Sequence, residues 1–531
     1  MFLIMSAAYV GQELQSEFGK LPPSFLPLGN KRLFLHQAKL APAGSKVYLA
    51  IPESYNPSST DIRLLESEGI KTILTPDGLT LGEAIVASLN LSGHSLDSSL
   101  HILFGDTLFT EVPKGEDIIC VSDSSESYNW AMVTNDDEKW LKNYENIIEV
   151  APSNIVNGYF NFTNPRLLIQ SITKEKWDFL EGISRYNKNV PLKKIHTDKW
   201  LDFGHVNTYY RSKARYTTQR AFNDLKITTH WVEKSSFKVE KILAEALWFE
   251  KIPYDLKQYT PQYLGRKECD GRISYKLEYL YHTALNELYV FSELPVPIWK
   301  KILNGTIHFL NACQNNKATK DSSANKLNEL FGEKTYQRLK VYCAENGFSL
   351  CESWFFNGGT ATSLEDILRL SELNLPNFQN EKYKSPSILH GDFCFSNILY
   401  DFKTNRIKTI DPRGLTIDEE KTIYGDIRYD IAKLSHSIIG MYDFIIAGYY
   451  DVEINGRNIS FSIDEPIQHR AVQEYFTELA NDHFNISSTN LLAMQIQLFL
   501  SMLPLHADDK KRQDALFANA FRLFEIMKRT M

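Results

Sequence analysis

The stretch SILHGDFCFSNILYDFKTNRIKTIDPRG, residues 387–414, is the most informative part of the chain. It places Asp392 after a His-Gly pair, Asn397 five residues later, and Asp411 at the end of an apolar segment. Phosphoryl transfer needs a group that accepts the hydroxyl proton and hard oxygen ligands that hold Mg²⁺ beside the triphosphate. Asp392 suits the first task, and Asn397 with Asp411 the second. The alternative is that HGD is a turn and that Asp411 only ends a strand.

The pattern HGDxxxxN, followed by a strand that ends in Ile-Asp, resembles the aminoglycoside phosphotransferase and choline kinase superfamily. The resemblance implies an α+β, protein-kinase-like domain with a mainly helical C-lobe, in which Asp392 is the base and Asn397 and Asp411 bind Mg²⁺. It also implies ATP as donor and a small alcohol, amino-alcohol or sugar as acceptor. The later segment YGDIRYDIAKLSHS, 424–437, matches one that buttresses the catalytic loop in that superfamily. We therefore expect Asp430 to be a structural cap and His390 a buried core histidine.

A lysine and a glutamate ahead of this segment complete the pattern. KITTHWVEK, 226–234, predicts a strand that ends in Lys234, and FKVEKILAEALWFEK, 237–251, predicts an amphipathic helix that contains Glu245. A strand lysine paired with a helix glutamate is the usual means of holding a positive charge against the α- and β-phosphates. Lys238 is the substitute for Lys234, and an exposed i, i+4 pair with Lys241 is the alternative explanation of Glu245.

Two further regions carry candidates for ligand contacts. RAFND, 220–224, lies where a phosphate-covering turn is expected, and Phe222 and Asn223 are its candidates, although it lacks the glycines that let a backbone approach phosphates. The acceptor pocket is expected to include WFFNGGT, 354–360, and FLSMLPLHADD, 499–509. Their aromatic and acidic residues suit an amine or a sugar, but apolar residues at helical spacing are more often core.

The first 210 or so residues alternate short apolar runs with helical patterns, which predicts a mostly parallel α/β sheet. The predicted strands and helix are Phe2 to Met5, Lys46 to Ile51, Lys71 to Leu74, His101 to Phe104, Asp117 to Val121, and the helix Leu79 to Leu89. From residue 285 onward the pattern is mainly helical. We predict an N-terminal domain over 1–213 and a second domain over 214–531, with a small N-lobe at about 214–284 and a C-lobe at about 285–531.

The N-terminal domain has a resemblance of its own. MSAAYVGQELQSEFGKLPPSFLPLGNKRLFLHQ, 5–37, ILFGDTLF, 102–109, NGYFNF, 157–162, and KWLDFGHVNTYYRS, 199–212, resemble in order the segments of sugar-1-phosphate and phosphocholine nucleotidyltransferases. The resemblance implies a Rossmann-like domain in which Asp106 and Asp202 share one Mg²⁺ beside a nucleoside triphosphate, for which CTP is the candidate. Gly11, Lys20 and Lys31 are the candidates for nucleotide contact.

The departures from that family bear on activity. This chain has Tyr9 where the family has a loop glycine, Glu13 where it has the loop arginine, and Pro23 where it has a lysine. The two missing cations normally hold the triphosphate, and a carboxylate beside phosphates is repulsive by a few kcal/mol at a partly buried site, as an order of magnitude. Lys20 and Lys31 are candidates to compensate.

Composition limits the partners of this chain of 531 residues. Its net charge of −7 provides no basic field for nucleic acid, so a small-molecule substrate is expected. No apolar stretch is long enough to span a bilayer, and the first residues lack the features of a signal peptide, so we expect a cytoplasmic protein. The cysteines show no CxxC pair and no metal-ligand spacing, so we expect reduced thiols. They are Cys120, Cys269, Cys313, Cys343, Cys351 and Cys394.

Three hypotheses follow. A bifunctional kinase and nucleotidyltransferase would make a nucleotide-activated alcohol or sugar, and such a fused enzyme is similar to those that supply bacterial capsule, lipopolysaccharide or teichoic-acid decorations. Alternatively, only the kinase is an enzyme, and the first domain is a binding or interaction module. A non-catalytic regulator is the third hypothesis, and the presence of Asp392, Asn397 and Asp411 together speaks against it. The oligomeric state is not encoded in any motif.

Overall fold

The chain divides into two compact units in this computed structural model. One comprises Met1–Lys213 with Phe291–Glu293, and the other Ala214–Val290 with Leu294–Met531. The structure describes all residues except 124–127, 129, 135–139, 144–153, 221–224, 270, 319–326, 328, 378–382, 384 and 417.

The first unit is built on a mixed sheet. Its strands are β1 Phe2–Met5, β2 Val47–Pro52, β3 Lys71–Thr75, β4 Leu100–Phe104, β5 Thr107–Phe109, β6 Ile118–Ser122, β7 Ala131–Val133, β8 Leu141–Asn143, β9 Ile155–Phe162, β10 Lys193–His196 and β11 Trp200–Asp202. The main sheet has the order β10-β6-β9-β4-β1-β2-β3. Strand β1 pairs in parallel with β2 and β4, and β6 pairs in parallel with β10. Strand β9 runs antiparallel to both β4 and β6.

These strands are continuous apolar runs because both faces of the sheet are covered. Every residue of β1, β6 and β9 is buried, the pattern typical of a sheet with helices on both faces. The predicted strands coincide with β1 to β4 and β6 to within one residue at each end. The strand expected at 157–162 from the nucleotidyltransferase resemblance is part of β9, but its antiparallel direction at the centre of the sheet was not predicted.

The helices of the first unit connect these strands. They are α1 Gln12–Phe18, α2 Leu33–Gln37, α3 Ser59–Ser67, α4 Leu81–Leu91, α5 Pro165–Lys174, α6 Phe179–Asn189 and α7 Val206–Arg220. Helix α4 begins two residues later than predicted because Thr80 and Glu83 form a reciprocal capping box that fixes its first turn. Helix α7 extends across the domain boundary predicted near residue 213.

The second unit begins with an antiparallel sheet and a helix. Its strands are β12 Leu225–Ile227, β13 Trp231–Ser236, β14 Tyr263–Cys269 and β15 Arg272–Glu278, in the order β12-β13-β15-β14. Helix α8, Val239–Lys251, follows β13. The prediction of one strand over 226–234 was wrong, because a turn divides it. The hydroxyl of Thr228 accepts the backbone N–H groups of His230 and Trp231, and this local bond competes with an extended strand.

The remainder of the second unit is mainly helical, as predicted. The helices are α9 Tyr254–Lys257, α10 Leu285–Phe291, α11 Val296–Asn315, α12 Lys334–Asn346, α13 Leu364–Leu373, α14 Ile427–Ile438, α15 Tyr442–Ala447, α16 Ile467–Phe484, α17 Ser488–Met502 and α18 Lys510–Thr530. One buried core is formed by α12, α13, α17 and α18. Trp354 belongs to this core and packs against Phe348 and Phe517 with ring centroids about 5 Å apart.

Short strands interrupt these helices. They are β16 Thr283–Ala284, β17 Ser353–Phe356, β18 Ala361–Ser363, β19 Ser387–Ile388, β20 Ile398–Asp401, β21 Arg406–Thr409, β22 Tyr424–Gly425, β23 Tyr450–Asn455 and β24 Asn458–Ile463. The hairpin of β23 and β24 was not predicted, although its Asn-Gly turn between alternating apolar residues is a strong hairpin signal.

No described helix is by itself long and apolar enough to cross a membrane. The pair Ile467–Phe484 and Ser488–His506 meets the length and composition test only together, and it bends by 105° at its break. The described cysteine side chains are free thiols. Cys120, Cys313, Cys343 and Cys394 are buried, and Cys351 is exposed.

Candidate active site

A cavity of about 390 Å³ in the second unit contains the principal residues predicted for phosphoryl transfer. Asp392, Asn397, Asp411, Lys234 and Glu245 all contribute to its wall. The other lining residues are Lys241, Lys334, Arg338, Gly391, Pro412, Arg413, Tyr429, Lys433, His436, Leu498, Ser501, Met502 and Leu505. Residues separated by more than 150 positions in the sequence therefore meet at one concave surface.

The segment 391–411 brings three of these residues together locally. Asn397 ends a short 3₁₀ turn, Phe395–Asn397, and strands β20 and β21 then form a hairpin that returns the chain to Asp411. The backbone N–H of Ile410 donates to the carbonyl of Asn397 at 3.0 Å, which fixes the two ends of the hairpin. Asp411 has a positive φ of 55°, a conformation uncommon for residues other than glycine. Such backbone conformations are often found at functional sites.

Asp392 is held by two side chains. Its Oδ1 lies 2.8 Å from the Nζ of Lys433, and its Oδ2 accepts a hydrogen bond of 3.0 Å from the Nδ2 of Asn397. Burial raises the pKa of Asp392, but the charge of Lys433 and the hydrogen bonds outweigh it, so the net pKa lies below the usual value. Asp392 is therefore an ionised carboxylate at neutral pH, which is the state that accepts a proton.

Asp430 and His390 have the structural roles that the sequence predicted, because both form hydrogen bonds to the backbone around Asp392. The carboxylate of Asp430 accepts the backbone N–H groups of His390 and Gly391 at 2.7 and 2.8 Å. The Nε2 of His390 lies 3.0 Å from the carbonyl of Ile410, and its Nδ1 accepts the N–H of Asp392 at 3.3 Å. Burial lowers the pKa of His390 to about 4, so the ring is neutral and structural.

Lys234 and Glu245 form the predicted pair. The Nζ of Lys234 lies 2.8 Å from the Oε2 of Glu245 and 3.2 Å from the Oδ1 of Asp411. Burial lowers the pKa of Lys234, but the charges of Asp411 and Glu245 raise it above its usual value. Glu245 is only 2% exposed, so the alternative of an exposed helix pair with Lys241 is wrong. Lys238 is exposed at the start of α8, so it does not replace Lys234.

Two supporting residues were missed by the sequence analysis. Tyr275 lies opposite Lys234 in the β13–β15 register, and its hydroxyl donates to Glu245 at 2.9 Å. Lys433 lies on α14, one helical turn after Asp430. The i, i+3 spacing of Asp430 and Lys433 places both on one face of the helix. This spacing is the sequence feature from which a role for Lys433 beside the catalytic loop could have been predicted.

Of the two segments predicted to form the acceptor pocket, one lines the cavity and the other does not. Ser501, Met502 and Leu505 from the segment 499–509 line the cavity. WFFNGGT does not contribute to the described lining, and Trp354 lies in the core instead. Phe222 and Asn223 lie outside the described residues.

In the first unit, two strands bring Asp106 and Asp202 together. Asp106 immediately precedes β5, and Asp202 is paired with Thr107 in the antiparallel β5–β11 ladder. Gly204 has both carboxylates beside its α-carbon: a Cβ added there would lie 2.7 Å from Oδ2 of Asp106 and 3.3 Å from Oδ1 of Asp202. The two predicted carboxylates therefore converge on one point, although about 96 residues separate them in the chain.

The electrostatics at this point are unfavourable in the absence of a cation. Burial and then the charge of Asp202 raise the pKa of Asp106 to about 6. His205 lies 3.7 Å from the Oδ2 of Asp202, and its pKa is raised chiefly by that carboxylate. The Oδ2 of Asp202 has no hydrogen-bond partner among the described residues.

A cavity of about 270 Å³ adjoins Asp106. Tyr9, Gly11 and Pro23 line it with Asp106, whereas the predicted Lys20 and Lys31 are exposed and do not belong to the described lining. The Nζ of Lys20 lies 4.2 Å from the centre of the Tyr9 ring. Among the described residues, no group of three or more His, Cys, Asp or Glu side chains is arranged to hold a metal ion.

Comparisons with known proteins give distant likenesses. No family model and no curated protein matches the sequence. Among solved structures, the chain is similar to an aminoglycoside-3′-phosphotransferase of type VIII at 12% identity, over 55% of this chain and 99% of that one, with a TM-score of 0.31. It is similar to the inositol-1-phosphate CTP transferase from T. maritima at 14% identity, over 42% and 97%, with a TM-score of 0.30.

A third similar structure is a putative fructosamine-3-kinase from Haemophilus somnus 129PT, at 12% identity over 55% of this chain and 83% of that one, with a TM-score of 0.31. Because all three TM-scores lie below 0.5, we base the functional proposals on the geometry of the two sites.

Proposed function

We propose that the second unit transfers a phosphoryl group from ATP to a hydroxyl group of a small molecule. The observation that carries this proposal is the arrangement of Asp392, Asn397, Asp411, Lys234 and Glu245 around one cavity. This is the set that phosphoryl transfer requires: a base, oxygen ligands for a divalent ion and a fixed cation for the phosphates.

Each side chain has a separate task in this mechanism. Asp392 accepts the proton of the attacking hydroxyl, and Lys433 keeps it ionised. Lys234 is fixed by Glu245, which is itself fixed by the hydroxyl of Tyr275, so the ammonium is positioned before the nucleotide arrives. This preorganisation reduces the entropy that positioning the phosphates would otherwise cost.

The donor atoms of Asn397 and Asp411 fit Mg²⁺. The Nδ2 of Asn397 donates to the backbone carbonyl and the carboxylate of Asp392, and its Oδ1, which accepts a long hydrogen bond of 3.5 Å from the Ser396 hydroxyl, is the oxygen that would bind the ion. Asp411 uses one oxygen for Lys234 and has a second for a cation. When bound, Mg²⁺ neutralises charge on the phosphates.

For the first unit we propose Mg²⁺-dependent nucleotidyl transfer. The convergence of Asp106 and Asp202 beside Gly204 supports it, because two buried carboxylates at one point repel unless they share a proton or a cation. One observation counts against catalysis: Tyr9 and Pro23 line the adjacent cavity, while Lys20 and Lys31 do not. That observation favours the second candidate, a nucleotide-binding or interaction module without catalysis.

Together the two activities would form a sequence of reactions. The kinase would make a phosphate monoester, and the nucleotidyltransferase would join such an ester to a nucleotide, with release of pyrophosphate. The product would be a nucleotide-activated alcohol or sugar of the kind used in bacterial surface polysaccharides.

One experiment tests both activities. The full chain is incubated with Mg²⁺, a panel of alcohols, amino-alcohols and sugars, and ATP with CTP, UTP, GTP or dTTP, and the products are followed by phosphorus NMR. Asp392→Asn is expected to remove the monoester signal, and Asp106→Ala the pyrophosphate signal. If a phosphate monoester forms but no pyrophosphate is released under any condition, the second unit is a kinase and the first unit is not catalytic. Monoester formation undiminished in Asp392→Asn would contradict the kinase mechanism.

A further inference from the structure

The charges that line the cavity of the second unit are unequal. Its carboxylates are Glu245, Asp392 and Asp411, and its cations are Lys234, Lys241, Lys334, Arg338, Arg413 and Lys433. Lys234 contacts both Glu245 and Asp411, and Lys433 contacts Asp392. The three carboxylates are therefore already matched by two lysines, and the other cations have no carboxylate partner among the described residues.

Three of these excess cations form one cluster. Lys334 and Arg338 are one turn apart on α12, so their side chains share a face of that helix. Burial, and then the charges of Arg338 and Arg413, lower the pKa of Lys334 to about 8. The Nη1 of Arg338 donates to the carbonyl of Ser501 at 3.1 Å, which fixes its position without neutralising it. Like charges held together in this way are stabilised by an anion.

Two members of the cluster, Lys334 and Arg338, lie on a helix of the helical lobe, and the third, Arg413, lies in the loop after Asp411, where its backbone N–H donates to the carbonyl of His390 at 2.8 Å. Lys334 and Arg338 belong to α12, and Ser501, Met502 and Leu505 come from the end of α17 and the turn after it. The pair that we assign to the nucleotide phosphates belongs to β13 and α8. The two groups of cations therefore come from different elements on the cavity wall.

A neutral polar group completes the same wall. His436 is 1% exposed, and neither of its ring nitrogens has a hydrogen-bond partner among the described residues. Its ring packs against those of Tyr442 and Phe499, with centroids 4.5 and 4.4 Å away. Buried polar groups are normally hydrogen-bonded, so the two ring nitrogens of His436 leave hydrogen-bonding capacity in this wall that a polar ligand or a water molecule can satisfy. Burial lowers its pKa, so it is neutral and suits a hydroxyl group.

We infer that the acceptor of the second unit is anionic: a small alcohol that carries a phosphate or carboxylate group, held by Lys334, Arg338 and Arg413. This inference rests on the proposed kinase function and specifies its substrate class. It replaces the expectation of a cationic amine, for which the described lining offers no unpaired carboxylate.

The test measures anion binding to the full chain. The protein is first titrated with Mg²⁺ and a non-hydrolysable ATP analogue, and the saturated complex is then titrated with inorganic phosphate, acetate or methylammonium by calorimetry. We expect phosphate or acetate to bind and methylammonium not to bind. Phosphate alone indicates a phosphorylated acceptor, and acetate binding of equal strength indicates a carboxylate.

Variants locate the anion. Lys334→Gln and Arg338→Gln are each expected to weaken its binding by about tenfold or more, the effect of losing one charge-assisted contact. Lys340→Gln is the matched control, because Lys340 lies on the same helix, is exposed and does not line the cavity. Arg338→Gln loses the hydrogen bond to Ser501 and could fail to fold for that reason. Lys334→Gln then provides the test, because the side chain of Lys334 has no hydrogen bond among the described residues.

The outcomes are distinguishable. Failure of the wild-type chain to bind the ATP analogue would refute the kinase proposal at the first titration. If the chain binds the analogue normally but binds neither phosphate nor acetate, the inference of an anionic acceptor is wrong and the kinase proposal stands. Binding of methylammonium would lead to the same conclusion. Variants that lose affinity for the analogue and keep that for phosphate would assign the cluster to the nucleotide and would also overturn it.

Discussion

Replacing Lys433 with methionine should shift the pH dependence of the kinase reaction. In the wild-type chain, the Lys433 ammonium lies 2.8 Å from Asp392 and opposes the effect of burial on that carboxyl group. Methionine has a similar length and no charge, so Lys433→Met removes the ammonium while it fills the same buried space. In the variant, burial raises the pKa of Asp392, and only the nearby His390 and the hydrogen bond from Asn397 oppose that effect.

The direction and size of the shift follow from this geometry. Asp392 acts as a base only when ionised, so activity falls as pH decreases through its pKa. An opposite charge within about 4 to 6 Å lowers a carboxyl pKa by roughly 1 to 3 units. The side chain of Asp392 is 43% exposed, and solvent screening places this case at the lower end. We expect the acid limb of kcat/KM to move upward by about one pH unit in the variant.

The assay is kcat/KM for ADP formation between about pH 3 and 7, a range that includes the usual aspartate pKa of about 3.9 and the expected upward shift. Lys433→Arg should restore the wild-type limb because it keeps the charge. Lys241→Met is the matched control. It removes a cation that lines the same cavity but has no described contact with Asp392. An acid limb that stays in place or moves downward in Lys433→Met would refute the assigned role of Lys433.

Three further variants test the remaining assignments. Asp392→Asn should reduce phosphoryl transfer by about 10² to 10⁴, with nucleotide affinity nearly unchanged; undiminished turnover would remove Asp392 from the mechanism. Asp411→Ala should weaken Mg²⁺-dependent binding of ATP by about tenfold or more in a titration, and an unchanged Mg²⁺ requirement would count against its role. Asp106→Ala should abolish pyrophosphate release and spare the kinase reaction, and pyrophosphate formation at the wild-type rate would exclude this carboxylate.

The sequence alone predicted the parts of the site that depend on local spacing. Asp392, Asn397 and Asp411 lie within one turn and one hairpin, so a short stretch of sequence determines their relation. Asp430 follows on a helix that packs beneath the same loop and accepts its backbone N–H groups. The strands of the first unit were also predictable, because continuous apolar runs between turn residues leave few alternatives.

The tertiary structure decided what depends on distant parts of the chain. Lys433 could be assigned to Asp392, and Tyr275 to Glu245, only when separate elements were packed together. The cluster of Lys334 with Arg413 joins residues about 80 positions apart. Arg413 lies near the end of the segment 387–414, but no motif surrounds Lys334, so nothing in the sequence connects the two. Charge balance in a cavity is a sum over all the side chains that line it, whatever their order in sequence. That sum, and with it the class of acceptor, is therefore a property of the folded chain and not of any segment.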